Sequence, residues 1–236
     1  MCTYVCACGF YYLSILFLFL LQATLRTANI RVIIHNSAYV NHALQFRALR
    51  PHNVGSTETA IKLAAELTTA SGVACHCAFV STGGVCGRLS FADAEEPARL
   101  DASVLATQNG YVQGKWVSER LIENAAAAFQ QLLFSSSSSS ATSPPASAVY
   151  YIFRPGTVTA HSVTGASNIS DSVNRYLIGW SLLGAAPPLD PAAQVDTSPV
   201  DWYVLLFPPF LGRHLPRRLI VIISLIHSEF VLAKVH

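Results

Sequence analysis

Charged side chains are scarce in this sequence. Lysine, arginine, aspartate and glutamate make up 12% of its 236 residues, whereas about one-quarter is typical of a soluble domain. Hydrophobic residues make up 52%, so the composition lies between those of soluble and membrane proteins. The formal net charge of +2 is spread without a contiguous basic face with interleaved aromatic residues, which gives nucleic-acid binding no support.

Most of the apolar excess lies at the two ends of the chain. An apolar run at 9–21 is shorter than the roughly 20 residues that span a bilayer, and no lysine or arginine precedes it, so a signal peptide or membrane anchor is a weak interpretation. A second run at 219–226 is soon followed by a histidine and a glutamate, which makes it a poor membrane span. We favour the hypothesis that segments 1–30 and 204–236 are ends of a truncated or mispredicted gene.

The six cysteines form no paired C-x-x-C set. Cys75 and Cys77 place alternate side chains on one face of a predicted strand, and two thiols cannot complete a tetrahedral zinc site. They are predicted to be ordinary buried thiols, with no metal. Reduced thiols make the cytoplasm the default location, with a membrane-anchored or secreted protein as the alternative if the N-terminal run is a true signal.

Strand-like and helical patterns alternate between the two ends. Three short apolar runs predict strands, at 31–35, 77–81 and 149–153. Three stretches with helical spacing predict helices, from Asn53 up to Gly72, from Gly110 to about Phe134, and from Ser170 to Leu183. This alternation predicts an α/β fold with a parallel sheet flanked by helices. The polar, serine-rich stretch 135–147 is interpreted as a disordered insert.

Polar residues follow each predicted strand, where α/β sheets bind their ligands. They lie in the segments 35–38 (HNSA), 81–84 (STGG) and 154–157 (RPGT), which we expect to converge on one crevice.

Tyr111 and Lys115 are four residues apart in a predicted helix, so they share a face. A lysine beside a phenol, helped by the positive ring of a cofactor, would lower a tyrosine pKa that is ordinarily about 10. Tyr111 could then donate a proton to a carbonyl near neutral pH, and Thr82 could hold the same oxygen. Without further context, a surface tyrosine packed on a lysine stem is the better explanation of the pair.

Five segments supply that context, namely 32–41 (VIIHNSAYVN), 53–58 (NVGSTE), 79–82 (FVST), 110–119 (GYVQGKWVSE) and 154–168 (RPGTVTAHSVTGASN). Together they resemble the thioester reductase family. These extended short-chain dehydrogenases are found at the end of non-ribosomal peptide synthetases, carboxylic acid reductases and α-aminoadipate reductase. The resemblance covers about residues 31–203 and implies a partial NAD(P)-binding Rossmann-like fold.

The activity implied by the resemblance is the NADPH-dependent reduction of an acyl thioester, on the phosphopantetheine arm of a carrier protein, to an aldehyde. It implies a triad in which Thr82 and Tyr111 polarise and protonate the carbonyl oxygen, while Lys115 tunes Tyr111 and holds the nicotinamide ribose. The loop 162–168 would flank the substrate arm. Cofactor contacts are implied for Asn36, Ser37, Ala38, Asn53, Lys115, Pro155 and Gly156.

The family's glycine-rich turn, which places a pyrophosphate on a helix N-terminus, has no counterpart before Ile30, where the only glycine is Gly9. The run 82–87 (TGGVCG) follows a predicted strand, but acids and a proline continue it at 91–97, so we reject it as a phosphate turn. We therefore expect a fold without its first glycine-rich βαβ unit, hydrophobic sheet edges left exposed, and weak or lost activity.

Two other functions stay open. A non-catalytic module could keep a cleft for a carrier protein or a nucleotide. Another extended short-chain dehydrogenase could act on nucleotide sugars or sterols, although the run 163–168 (VTGASN) resembles the thioester group more closely.

Overall fold

The computed structural model of the chain describes residues 5–7, 30–86, 99–136, 146–188, 197–202, 220–226 and 229–235. It has two compact units. The first unit is formed by Met1–Arg154 together with Leu215–His236, and the second by Pro155–His214.

Eight strands and four α-helices lie in the described residues. The strands are β1 (Val5–Ala7), β2 (Val32–His35), β3 (His76–Val80), β4 (Val149–Phe153), β5 (Thr157–Thr159), β6 (Thr197–Pro199), β7 (Ile220–Ile226) and β8 (Glu229–Val235). The helices are α1 (Phe46–Ser71), α2 (Ala102–Leu105), α3 (Gly110–Ser136) and α4 (Ser172–Leu183), and a 3-10 helix spans Gly83–Cys86.

The first unit is built on a six-stranded sheet with the order β1-β8-β7-β2-β3-β4. Strands β7, β2, β3 and β4 run parallel to their neighbours, and β8 and β1 complete the sheet in antiparallel pairs. The predicted α/β class with a parallel sheet flanked by helices is confirmed. The three predicted strands correspond to β2, β3 and β4, with shifts of no more than one residue at their ends.

The three predicted helices correspond to α1, α3 and α4. The start of α1 is the largest difference, because the helix begins at Phe46 instead of Asn53. Leu49 is completely buried, and the N–H groups of Ala48 and Leu49 donate to Gln45 O, so the added turns are anchored at both the core and the backbone. The insert prediction at 135–147 falls mainly outside the described residues.

The expected exposure of hydrophobic sheet edges does not hold for β2, which is paired on both sides. Strand β7 pairs with β2 in parallel, from Val32 opposite Ile220 to His35 opposite Ile223. The apolar run near the C-terminus therefore satisfies the backbone hydrogen-bonding groups on that side of β2. No helix in the described part of the chain is both long enough and apolar enough to cross a membrane.

The core of the first unit lies between α1, α3 and one face of the sheet. Its buried members include Ile33 of β2, Cys77 of β3 and the α1 residues Ala64 and Leu67. Small residues on α1 let this helix lie close to the strands. The cysteines at 75 and 77 are buried free thiols, as predicted, and burial raises the pKa of Cys75 to about 12. Among the described residues, no group of three or more histidine, cysteine or acidic side chains is placed to hold a metal ion.

The second unit has a two-stranded parallel sheet of β5 and β6, together with α4. Asp171 caps the start of α4 by accepting a hydrogen bond from the N–H of Val173 at 2.9 Å. Gly184 ends the helix in the left-handed conformation, with a φ of 63°, which glycine adopts without strain.

Candidate active site

The first turns of α3 are fixed by their contact with the start of α1. A Cβ on Gly110 would overlap backbone atoms of Leu44, Gln45 and Phe46, so only glycine fits there. One turn later, a Cβ on Gly114 would stand 3.5 Å from the Cβ of Asn53, an ordinary contact. Each glycine precedes a residue of the predicted pair, so the approach of the two helices sets where that pair lies.

Lys115 lies on the buried side of α3, with 3% of its surface exposed. Its Nζ donates a 2.6 Å hydrogen bond to Val80 O at the end of β3 and stands 4.7 Å from the centre of the Phe79 ring. Burial lowers the pKa of Lys115 to about 7, and the charge of Glu119 opposes this shift. The buried amine therefore loses its proton more readily than a free lysine does.

Tyr111 lies one turn before Lys115, whose Nζ is 6.0 Å from the centre of the tyrosine ring. The ring packs edge-on against His42, with centroids 5.5 Å apart. Burial raises the pKa of Tyr111 to about 12. In the chain by itself the shift is opposite to the one expected from Lys115, because the loss of hydration disfavours the phenolate.

Thr82 follows β3 at its carboxyl end. Its Oγ1 accepts a hydrogen bond from the N–H of Gly84 at 3.3 Å. A Cβ on Gly84 would lie 3.2 Å from Val112, so the turn after β3 packs against the helical turn that carries Tyr111. The structure thus brings Thr82, Tyr111 and Lys115 together around the end of β3. The 3-10 helix at Gly83–Cys86 directly follows Thr82, and neither glycine of that helix has a positive φ.

Asn53 holds the loop that follows β2. Its Oδ1 accepts a 2.7 Å hydrogen bond from Tyr39 N, and its Nδ2 donates to Tyr39 O at 3.2 Å. Because both polar atoms of the amide are used on the loop backbone, Asn53 positions this loop. Its direct contact with a cofactor stays a prediction. The predicted cofactor residues in the loop differ in exposure. Asn36 is exposed, Ser37 is buried, and Ala38 has an intermediate exposure.

Pro155 and Gly156 belong to the second unit and are half-buried, and their cofactor role also stays a prediction. The loop 162–168 of that unit is ordered by polar contacts of its own. The N–H and Oγ of Ser162 donate to the Asp201 carboxylate at 2.8 and 2.7 Å, and His161 Nδ1 accepts from the N–H groups of Val163 and Thr164.

His35 and Ser81 are among the polar residues predicted to follow the strands, but sequence reasoning missed the buried hydrogen-bonded group that His35 forms beneath the site. His35 Nε2 lies 3.0 Å from Thr57 Oγ1, which in turn lies 3.0 Å from Ser118 Oγ. Burial, followed by the nearby Lys115, lowers the pKa of His35 to about 3, so the ring is neutral near pH 7. Within the part of the chain that the structure describes, His35 Nδ1 and the Oγ of Ser81 are buried without a hydrogen-bond partner. The available signal was the position of both residues at the ends of predicted strands.

A buried ion cluster was missed as well. Arg154 donates from Nε and NH2 to the two oxygens of Glu119, at 2.9 and 2.8 Å, and Arg99 approaches the same carboxylate at 3.4 Å. Glu119 has no exposed side-chain surface. The signal was present in the sequence, because Glu119 ends the segment 110–119 and Arg154 opens the segment 154–168.

The described residues fit the nicotinamide end of a dinucleotide. The Lys115 ammonium has three N–H groups and makes one hydrogen bond within the described residues, and Ser81 and His35 each keep an unused polar atom at the ends of β3 and β2. A doubly wound fold binds pyrophosphate where its first strand turns into a helix. Here the strand beside β2 is β7, which pairs in turn with the antiparallel β8, so the described residues hold no such strand-to-helix turn beside β2.

A family model identifies this architecture. The model of the Male sterility protein family of NAD-binding domains matches residues 21–206, which is most of the chain. The match extends beyond the predicted limits of 31–203 at both ends.

Several relatives share this region. An aldehyde reductase of Aspergillus flavus is 30% identical over 176 residues, which cover 72% of this chain and 15% of the relative. The L-2-aminoadipate reductase large subunit of Eremothecium gossypii is 30% identical over 189 residues, which cover 75% of this chain and 12% of the relative. A nonribosomal peptide synthetase of Aspergillus flavus is 34% identical over 177 residues, which cover 72% of this chain and 15% of the relative. The chain thus spans only a small part of each.

Solved structures give the same result for the fold. The terminal R domain from the myxalamid PKS-NRPS biosynthetic pathway superimposes with a TM-score of 0.58 and 29% identity, over 89% of this chain and 47% of that one. A UDP-glucuronic acid 4-epimerase of Bacillus cereus has a TM-score of 0.53 at 16% identity, over 85% of this chain and 55% of that one, a likeness of fold alone. The resemblance to thioester reductases is thereby confirmed, and the chain belongs to the Male sterility protein family of NAD-binding domains, with a Rossmann-like fold.

Proposed function

We propose that this chain carries the site of an NADPH-dependent reductase that converts an acyl thioester, bound to the phosphopantetheine arm of a carrier protein, into an aldehyde and a free thiol. The packing of Thr82, Tyr111 and Lys115 around the end of β3 carries the proposal. The relatives named as reductases and the R domain of a peptide synthetase pathway support it.

The reaction adds one hydride and one proton to the thioester and expels the thiol. Bound NADPH supplies the hydride. As negative charge develops on the carbonyl oxygen, a proton donor must stand beside it. Tyr111 is fully protonated at neutral pH, since burial raises its pKa to about 12, and it is the donor in this proposal.

Thr82 is suited to hold the same oxygen. The N–H of Gly84 donates to Thr82 Oγ1, which uses an acceptor position and leaves the hydroxyl hydrogen for another partner. A hydrogen bond from this hydroxyl stabilises the oxygen most when its charge is largest, in the transition state.

Lys115 would hold the nicotinamide ribose and lower the pKa of Tyr111. Its charged form supports both tasks, because an ammonium donates to ribose hydroxyls and stabilises a phenolate. Lys115 is held by Val80 O in a fixed position one turn from Tyr111, so little reorganisation is needed.

The test is consumption of NADPH by the full chain in the presence of an acyl-pantetheine thioester. Tyr111→Phe removes only the phenolic hydroxyl and is expected to reduce turnover by a factor of about 10² to 10⁴. Tyr176→Phe is the matched control, because this tyrosine lies exposed on α4, and its turnover should equal that of the wild type. Equal turnover by wild type and Tyr111→Phe would contradict the proposal. Folded wild-type chain that binds NADPH or a carrier protein without turnover would favour the binding module instead.

A further inference from the structure

The sheet-facing side of α3 is unusual because it buries charge. Lys115, Ser118 and Glu119 are 3%, 0% and 0% exposed, and the apolar residue Ile122 follows on the same face. Helices normally present an apolar stripe to a sheet, and buried charges are costly unless they are paired. Lys115 and Glu119 are one helical turn apart, so their charges act on each other at short range.

The two charges do not form a contact ion pair. Both oxygens of Glu119 accept hydrogen bonds from Arg154, and Arg99 adds a third contact at 3.4 Å. The hydrogen bond of Lys115 goes to a backbone carbonyl, Val80 O. Glu119 is therefore fixed by arginines and acts on Lys115 from one turn away, without competing for the N–H groups of the amine.

Three contacts close a ring around the proposed active site. Lys115 joins α3 to the end of β3, through Val80 O at 2.6 Å. The N–H of Ser81 joins the end of β3 to the end of β4, through Phe153 O at 2.7 Å. Arg154, the residue after β4, joins that end back to α3 through Glu119. Glu119 is the member of the ring that fixes the third turn of α3 to the sheet.

We propose that Glu119 is a positioning residue of the reductase site: its carboxylate, anchored by Arg154 one helical turn from Lys115, favours the ammonium form of Lys115 beside Tyr111. This role rests on the proposed function for its purpose, but the electrostatic effect on Lys115 exists in the chain without any ligand. Glu119 touches neither a reacting atom nor a ligand in this proposal, and it acts only through Lys115.

The charged and titratable groups around Lys115 predict the direction of the effect. Tyr111 and Glu119 face it from α3, and His35 faces it from β2, where burial keeps the ring neutral. Arg99 and Arg154 bind the carboxylate of Glu119. Removing the negative charge of Glu119 should lower the pKa of Lys115 below its value of about 7. Removing the positive charge of Arg154 should raise it.

The experiment measures the titration of Lys115 in the full chain without ligand, by the NMR shift of the 13Cε nuclei of isotope-labelled lysines. The chain has only three lysines, at 62, 115 and 234, and a Lys115→Arg sample assigns the signal. Glu119→Gln should lower the titration midpoint by about one pH unit or more, and Arg154→Gln should raise it. Glu119→Asp, which keeps the charge, should restore most of the wild-type midpoint. Glu123→Gln is the matched control, because Glu123 also binds Arg99 but is 36% exposed, and it should leave the midpoint unchanged.

A merely structural role gives a different result. Loosened packing would hydrate Lys115 and move its midpoint up towards that of a free lysine in both Glu119→Gln and Arg154→Gln. An upward or unchanged midpoint in folded Glu119→Gln overturns the proposal. If Glu119→Gln does not fold, a midpoint in Glu119→Asp that moves up towards that of a free lysine overturns it. These readouts need no turnover, so a chain that consumes no NADPH but shows opposite shifts would refute the proposed function and keep the role of Glu119.

Discussion

Helices α3 and α4 differ in the side chains that they bury. α3, in the first unit, buries a lysine and a glutamate, and each has assigned partners. α4, in the second unit, buries none of its residues, and its apolar side chains Leu182 and Leu183 are 83% and 78% exposed. Both units contain segments that resemble the same family, and in the first unit Tyr111 and Lys115 lie one helical turn apart near the end of β3. Burying a charge costs free energy. A buried charge with defined partners therefore indicates function more strongly than exposed apolar side chains do.

The largest difference between the units should appear when the buried ion cluster is broken. Arg154→Met leaves the carboxylate of Glu119 with only the longer contact to Arg99, and we expect a loss of about 3 to 5 kcal/mol of unfolding free energy. Urea denaturation of the two variants measures it. Arg175→Met, at an exposed position of α4, is the control and should change stability by less than about 0.5 kcal/mol. Similar urea denaturation midpoints for Arg154→Met and Arg175→Met would contradict the prediction that the buried ion cluster stabilises the first unit.

Glycine-to-alanine substitutions test whether α3 is more closely packed than α4. Gly110→Ala places a methyl group on backbone atoms at the start of α1, which should cost about 3 kcal/mol and displace Tyr111. Gly179→Ala, within α4, meets nothing within 4 Å, so the better helix propensity of alanine should leave stability equal or up to about 1 kcal/mol higher. Thermal unfolding followed by circular dichroism distinguishes them. A stable Gly110→Ala chain would contradict the close approach of α1 and α3.

Acid should destabilise the first unit through His35. The pKa of His35 is about 3 in the folded chain and 6.5 in the unfolded chain. Between these pH values the unfolded chain binds a proton on this ring and the folded chain does not. The stability that the neutral ring contributes is complete above pH 6.5 and is lost as the pH falls towards 3. At about pH 5 the loss is about 2 kcal/mol. His35→Gln should flatten this dependence in denaturation curves, whereas a dependence as steep as that of the wild type would contradict the role of His35.

Much of the first unit could be predicted from local pattern. The spacing of Tyr111 and Lys115 placed them on one helix face, and short β-branched runs located β2, β3 and β4. Helical periodicity missed the first turns of α1, whose anchor is the buried Leu49. The strands and the shared helix face depend on residues that are near in sequence, so sequence reasoning reaches them.

The remaining features depend on distant contacts or on burial. The pKa of Tyr111 rises because its surroundings exclude water, a quantity that spacing does not contain. The partners Glu119 and Arg154 are 35 residues apart, and the pairing of β7 with β2 joins opposite parts of the chain. The amide of Asn53 turned out to hold Tyr39, which the resemblance did not indicate.

The most direct test of the account is the fate of the transferred hydrogen. The full chain is incubated with an acyl-pantetheine thioester and NADPH that carries deuterium at its transferable position. The aldehyde is trapped, and its mass is measured by mass spectrometry. The account predicts singly deuterated aldehyde from the wild type and from Tyr176→Phe, and far less from Tyr111→Phe. Folded wild-type chain that binds NADPH but yields no deuterated aldehyde would contradict the claim that Tyr111 and Lys115 on α3 form a reductase site.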